Sequence, residues 1–144
     1  DLRIPTLAEY VRICKKYGKV GVLELKNRFD PGDIEKIIAV INEEDYLDGI
    51  IFISFSLENM IDLRAMLPRQ ACQYLTTEYS ADLLETLCRY HLDVDMHYRA
   101  RTEENVREMH ARGIRVNAWT CDKPEEALEL VKWGVDYITS NILE

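Results

Sequence analysis

The chain has 144 residues, 47% of them hydrophobic and 31% charged, with a formal net charge of -8. That length suits a single domain with a sizeable core, and the acidic balance argues against nonspecific nucleic-acid binding and against peripheral attachment to anionic lipid. No apolar run approaches the roughly 20 residues of a membrane span, and no signal peptide opens the sequence, although an upstream targeting or membrane segment is compatible with it.

Thr6 and Glu9 form a capping box ahead of Tyr10, Val11 and Ile13, so the chain begins with a helix, and Lys15-Lys16 ends it where cations suit the helix dipole. An apolar run at residues 20–26 predicts the first strand. Asp30 and Pro31 then open a second helix, with Asp30 as N-cap and Pro31 in the first turn. Asn42-Glu43-Glu44-Asp45 reads as a solvated helix end and loop. Further strands are predicted at residues 50–55, 71–75, 92–96, 115–120 and 137–140, with amphipathic segments between them. Ser56, Ser80 and Thr102 stand where N-caps are needed, Asp122 and Glu125 have capping-box spacing, and Pro124 falls in a first turn. Gly113 and Gly134 fall where helices should end, each just before a new strand.

This βα alternation predicts an α/β fold with a parallel sheet. About six βα units do not fill the eight of a closed barrel, which normally needs about 250 residues. If the fold is a barrel, it is a partial one. Its edge strands would expose unpaired backbone, so the isolated piece is expected to aggregate or dimerise unless other chain covers it.

Within the first strand, Glu24 and Lys26 are two residues apart and share a face, while Leu23 and Leu25 share the other. A carboxylate and an ammonium thus emerge together from apolar surroundings. An ordinary ion pair or a solvated edge strand accounts for them, and so would a metal ion and a phosphate, one for each charge. Cys14, Cys72, Cys88 and Cys121 are too widely spaced for structural zinc and read as small apolar residues, Cys14 and Cys88 on helical apolar faces. Their usage fits a reducing compartment, hence the cytoplasm. His91 and His110 read as helix-end or surface residues, and His97 ends a strand without an orienting carboxylate beside it in sequence. Arg99-Ala100-Arg101 reads as a solvated charge run, and Asp136 as a structural turn residue.

Five strings occur in the order and βα spacing of glycerophosphodiester phosphodiesterases. They are Ile4-Pro5-Thr6-Leu7-Ala8-Glu9-Tyr10, Leu23-Glu24-Leu25-Lys26, Ile53-Ser54-Phe55, Val116-Asn117-Ala118-Trp119-Thr120, and Gly134-Val135-Asp136-Tyr137-Ile138-Thr139-Ser140-Asn141. The resemblance spans essentially the whole chain. It implies a single incomplete TIM-barrel phosphodiesterase domain over residues 1–144, part of a (β/α)8 barrel from the helix before the third strand to the eighth strand, with the first two strands absent. It implies hydrolysis of glycerophosphodiesters to glycerol 3-phosphate and an alcohol, with a small-molecule substrate and a divalent metal, Ca²⁺ or Mg²⁺. Glu24 resembles the family's metal-binding glutamate, Lys26 the lysine that contacts substrate phosphate, and Trp119 the aromatic residue lining the pocket against the glycerol moiety. Ser54 and Phe55 match a string that either shapes the rim or fills a layer.

The family's first two strands supply a His-Arg-Gly motif, a Glu-Asn pair, a Glu-x-Asp metal pair and a second histidine. Its two histidines act as general acid and base. No catalytic residue is assigned in this chain, and the chain alone is expected to be inactive. A related barrel acting on another head group, and a phosphate-binding domain without catalysis, are the competing readings.

Overall fold

A computed structural model describes residues 3–142. Its backbone forms two compact units, Asp1–Cys72 and Gln73–Glu144.

The first unit runs α1 (Leu7–Tyr17), β1 (Gly21–Glu24), α2 (Pro31–Glu43), β2 (Ile50–Ser54) and α3 (Leu57–Met66), with a short 3-10 turn at Leu47–Gly49. The expected capping box is present: the Thr6 hydroxyl accepts from Glu9 N at 3.3 Å, and Thr6 N donates to the Glu9 carboxylate at 2.9 Å. Gly18 closes α1 in the left-handed region at φ 59, a conformation without steric cost only for glycine. In α2, Ile34, Ile38 and Ile41 recur at helical spacing and are all buried. Together with Val11, Ile50, Phe52, Met60 and Leu63 they make up the apolar interior of this unit. Phe52 is wholly buried, so Phe52→Ala is expected to destabilise the fold by about 3–5 kcal/mol in chemical denaturation, through lost transfer energy and the cavity left behind.

β1 and β2 pair in parallel, with Gly21 opposite Ile50 and Glu24 opposite Ile53. The strand expected over residues 20–26 is regular only to Glu24, but Leu25 N still donates to Ile53 O at 2.9 Å. Gly21 and Leu25 are buried on one face, while Val22, Glu24 and Lys26 stand on the other and are open to solvent. Glu44 departs from the solvated end expected of it. Arg12 Nη2 and Nε donate to its two carboxylate oxygens at 2.7 and 2.9 Å, and the Glu44 side chain is only 16% exposed.

The second unit runs β3 (Cys72–Thr76), α4 (Ala81–Tyr90), β4 (Asp93–His97), α5 (Glu103–Ala111), β5 (Val116–Trp119), α6 (Pro124–Trp133) and β6 (Tyr137–Ile138), with a 3-10 turn at Tyr98–Ala100. β3, β4, β5 and β6 pair successively and in parallel. Ser80 and Thr102 cap α4 and α5 as expected, and His91 ends α4 in the left-handed region. Asp136 proves structural: its carboxylate accepts from Val116 N at 2.7 Å and lies 3.0 Å from His110 Nε2.

Three expectations are corrected in this unit. Asp122 does not cap α6; Lys123 is the N-cap and its side chain makes no capping hydrogen bond to the helix backbone. The Asp122 carboxylate instead takes Asn141 N at 2.7 Å, Asn141 Nδ2 at 2.9 Å and Ser140 Oγ at 3.0 Å, three donors where a cap would offer fewer. Cys88 is exposed rather than on a buried helical stripe, whereas Cys14, Cys72 and Cys121 are buried. Arg101 is 4% exposed, not solvated.

Two carboxylates make this fold sensitive to acid. The Arg3 guanidinium, then Thr6, hold the Glu9 carboxyl down at about 2, and Asn141 and Ser140 hold Asp122 below the usual carboxylate range. Each is lower in the folded chain than in the unfolded one. The stability each contributes is therefore complete above the unfolded value near pH 4 and is lost as pH falls through the folded value. Urea midpoints measured between pH 6 and pH 2 should fall with acid. Glu9→Gln should flatten part of that fall, and added salt should shrink the difference because both groups meet solvent.

Candidate functional site

In the first unit the candidate residues cluster at the carboxyl end of β1. Glu24 is its last residue and Lys26 follows in the exit loop. Their charged ends are 4.0 Å apart, the Glu24 side chain 33% and the Lys26 side chain 78% exposed. The period-two reading therefore brings the two together as an open ion pair. Such a pair is worth about 0–1 kcal/mol, so either charge can exchange its partner for a ligand at little cost.

The loop that carries Lys26 is tied down by buried side chains of β2 and α3. Ser54 Oγ donates to Leu25 O at 2.6 Å, and Asn59 Nδ2 donates to Asn27 O at 2.7 Å. Asn59 Oδ1 accepts from Phe29 N at 3.0 Å. Ser54 and Asn59 are both wholly buried. The rim or layer alternatives for Ser54 thus resolve toward a backbone anchor beneath the loop.

In the second unit, Trp119 ends β5 directly opposite His97, the last residue of β4. Their rings meet edge to face, centroids 5.1 Å apart and planes at 86°. Trp119 Nε1 donates to Asp95 O at 3.1 Å, which fixes the indole against the neighbouring strand. His97 Nδ1 accepts from Arg99 N at 3.3 Å, so the neutral ring carries its proton on Nε2. Asp95 and Asn117, paired across β4 and β5, share the face of His97 and Trp119 and are buried. Asn117 Nδ2 donates to the buried Gln73 Oε1 at 3.2 Å.

Arg101 reaches back over these strands. Its Nη2 donates to Asn117 O at 2.8 Å and to Met96 O. Burial pulls its pKa down to about 10 while the Asp95 carboxylate opposes the shift, so it stays charged at neutral pH. Sequence reasoning missed this polar layer. Its signal was the alternation in Val94-Asp95-Met96-His97 and Val116-Asn117-Ala118-Trp119, the same period-two pattern that exposed Glu24 and Lys26.

Among the described residues, no group of three or more His, Cys, Asp or Glu side chains is placed to hold a metal ion. Glu24 fits a hard cation as one oxygen ligand, but the described residues do not complete a coordination shell around it. The strings Glu43-Glu44-Asp45, Glu58-Asn59 and Glu104-Asn105 match the missing motifs in letter only. They lie at the end of α2, in α3 and in α5 rather than at strand ends. No helix of the described residues is long and apolar enough to cross a membrane.

Parallel strands alternating with helices, with charged and aromatic side chains at their carboxyl ends, define a portion of a (β/α)8 barrel. The chain belongs to the glycerophosphoryl diester phosphodiesterase family, whose profile matches residues 3–143. It is 25% identical over 154 aligned residues to a glycerophosphodiester phosphodiesterase of Bacillus subtilis, covering 97% of this chain and 52% of that protein. In fold it is similar to a crystal structure of a glycerophosphodiester phosphodiesterase from Parabacteroides distasonis, with a TM-score of 0.81 at 24% identity, over 95% of this chain and 60% of that one. An Oleispira antarctica phosphodiesterase, solved in complex with the product sn-glycerol-3-phosphate, superposes with a TM-score of 0.75 at 26% identity, over 95% of this chain and 57% of that one. The chain thus spans little more than half the length of the relatives it matches.

Proposed function

We propose that this chain is the part of a metal-dependent glycerophosphodiester phosphodiesterase running from the helix before the third barrel strand to the eighth strand. The complete protein hydrolyses glycerophosphodiesters to glycerol 3-phosphate and an alcohol. The observation that carries this reading is the pairing of Glu24 and Lys26 at the end of β1, within a chain whose family match spans residues 3–143. Glu24 would hold a divalent cation, Ca²⁺ or Mg²⁺, through one carboxylate oxygen, and the cation would supply positive charge to offset that of the phosphodiester. The Lys26 ammonium, largely exposed, offers a point charge to that phosphate. Trp119 presents an indole, already held by Asp95 O, for packing against the glycerol moiety. The general acid and base belong to strands outside this chain. The product named for the Oleispira antarctica complex supports glycerol 3-phosphate as the small molecule recognised.

The test is hydrolysis of glycerophosphocholine and glycerophosphoethanolamine by a polypeptide that joins this chain to two further βα units bearing His-Arg-Gly and Glu-x-Asp. Glycerol 3-phosphate is measured with Ca²⁺, with Mg²⁺ and with EDTA. Release that EDTA abolishes is the expected result. Saturable phosphate binding without turnover of either diester would instead support the phosphate-binding domain.

A further inference from the structure

Asn59 is a wholly buried polar residue in the first turn of α3, and every hydrogen-bonding valence of its amide is used. Nδ2 donates to Asn27 O at 2.7 Å and to Ser54 Oγ at 3.1 Å; Oδ1 accepts from Phe29 N at 3.0 Å and from Arg28 Nη1 at 3.0 Å. Two donors and two acceptor sites are all an asparagine amide has, so this environment also fixes which end carries the oxygen. Ser54 is filled in the same way. It donates to Leu25 O at 2.6 Å and accepts from Ser56 N at 3.0 Å as well as from Asn59.

The backbone groups held are those of residues 25, 27 and 29. They bracket Lys26, whose own side chain is 78% exposed and forms an open ion pair with Glu24 at 4.0 Å. The direction in which Lys26 leaves the strand is therefore set through its backbone neighbours. A purely apolar residue would fill the same space under α3 without reaching the loop.

We propose that Asn59, with Ser54, is a positioning residue for Lys26: it locks the β1 exit loop so that the ammonium meets a phosphate group from one fixed direction. This rests on the assignment of Lys26 to substrate phosphate. Losing the lock lets the loop sample other paths, so binding a phosphate then has to order it.

The experiment is a titration of the 144-residue chain with inorganic phosphate, followed by backbone amide shifts, in the parent and in Lys26→Met, Asn59→Ala, Ser54→Ala and the two double variants with Lys26→Met. Lys26→Met is expected to weaken phosphate binding at least tenfold. Asn59→Ala should weaken it about three- to tenfold and Ser54→Ala about threefold, and neither should weaken it further once Lys26 is Met. Ser54→Ala decides the matter if Asn59→Ala does not fold. A merely structural role would lower the thermal midpoint of these variants and leave their phosphate affinity at the parent's, which would overturn the positioning role while Lys26→Met still weakened binding. If Lys26→Met binds phosphate as the parent does, or the parent gives no saturable response, the assignment of Lys26 itself fails and the positioning role falls with it.

Discussion

Glu24→Gln, introduced into the polypeptide extended by the two motif-bearing βα units, should weaken divalent-cation binding by about 10- to 100-fold and lower phosphodiester turnover by a similar factor, with the fold intact. The amide is nearly isosteric and keeps an oxygen, but it carries no charge to balance a dication, and hard cations depend on anionic oxygen ligands. Calorimetric titration with Ca²⁺ and with Mg²⁺ gives the affinity, and glycerol 3-phosphate release gives the rate. The rival account is that Glu24 serves only as the ion partner of Lys26, 4.0 Å away. It forecasts the reverse, a change in stability of about 0–1 kcal/mol with cation affinity untouched. A Gln variant that binds either cation as well as the parent removes Glu24 from the ligand set.

The 144-residue chain alone should show no measurable phosphodiesterase activity under conditions in which the extended polypeptide turns over. General acid and base groups typically contribute about 10² to 10⁴ in rate, and a site with one carboxylate also holds its cation poorly, so the two losses multiply. His97 is the residue whose chemistry this measurement would reveal. It ends β4 beside Trp119 with Nε2 protonated in the neutral ring, and no carboxylate is hydrogen-bonded to it by either ring nitrogen among the described contacts. Metal-dependent turnover by the short chain, at a rate near that of the longer one, would assign catalysis to His97 or another local group and reverse the roles taken from the family.

What the sequence disclosed followed from short-range periodicity. Alternation with period two placed Glu24 beside Lys26, and hydroxyl or carboxylate caps at Thr6, Asp30, Ser56, Ser80 and Thr102 located five helix starts because each cap bonds an amide two or three residues away. Strand ends were less legible: the expected strand at residues 137–140 is regular only over Tyr137–Ile138, although Thr139 N still donates to Ala118 O at 2.7 Å. Where partners lie far along the chain, local pattern misled. Asp122 has the spacing of a cap, yet its donors come from Ser140 and Asn141. Arg101 sits in a basic run that looks solvated, but it is buried because the carbonyls of Met96 and Asn117 receive it. Asn59 gave no signal at all, since its partners at Asn27 and Phe29 lie in a loop about 30 residues earlier.

Val22 stands 46% exposed on the same face of β1 as Glu24 and Lys26, and Val20, just before the strand, is 58% exposed. Water therefore reaches both charges, and at 4 Å in bulk water two unit charges attract by only about 1 kcal/mol, against about 4 kcal/mol at the effective dielectric constant near 20 of a partly covered protein surface. Any polypeptide that covers those valines also removes water from beside the charges. Apolar contact and electrostatic strength are thus coupled: assembly at this face would raise the field that Glu24 and Lys26 exert on a bound ion or phosphate without moving either residue.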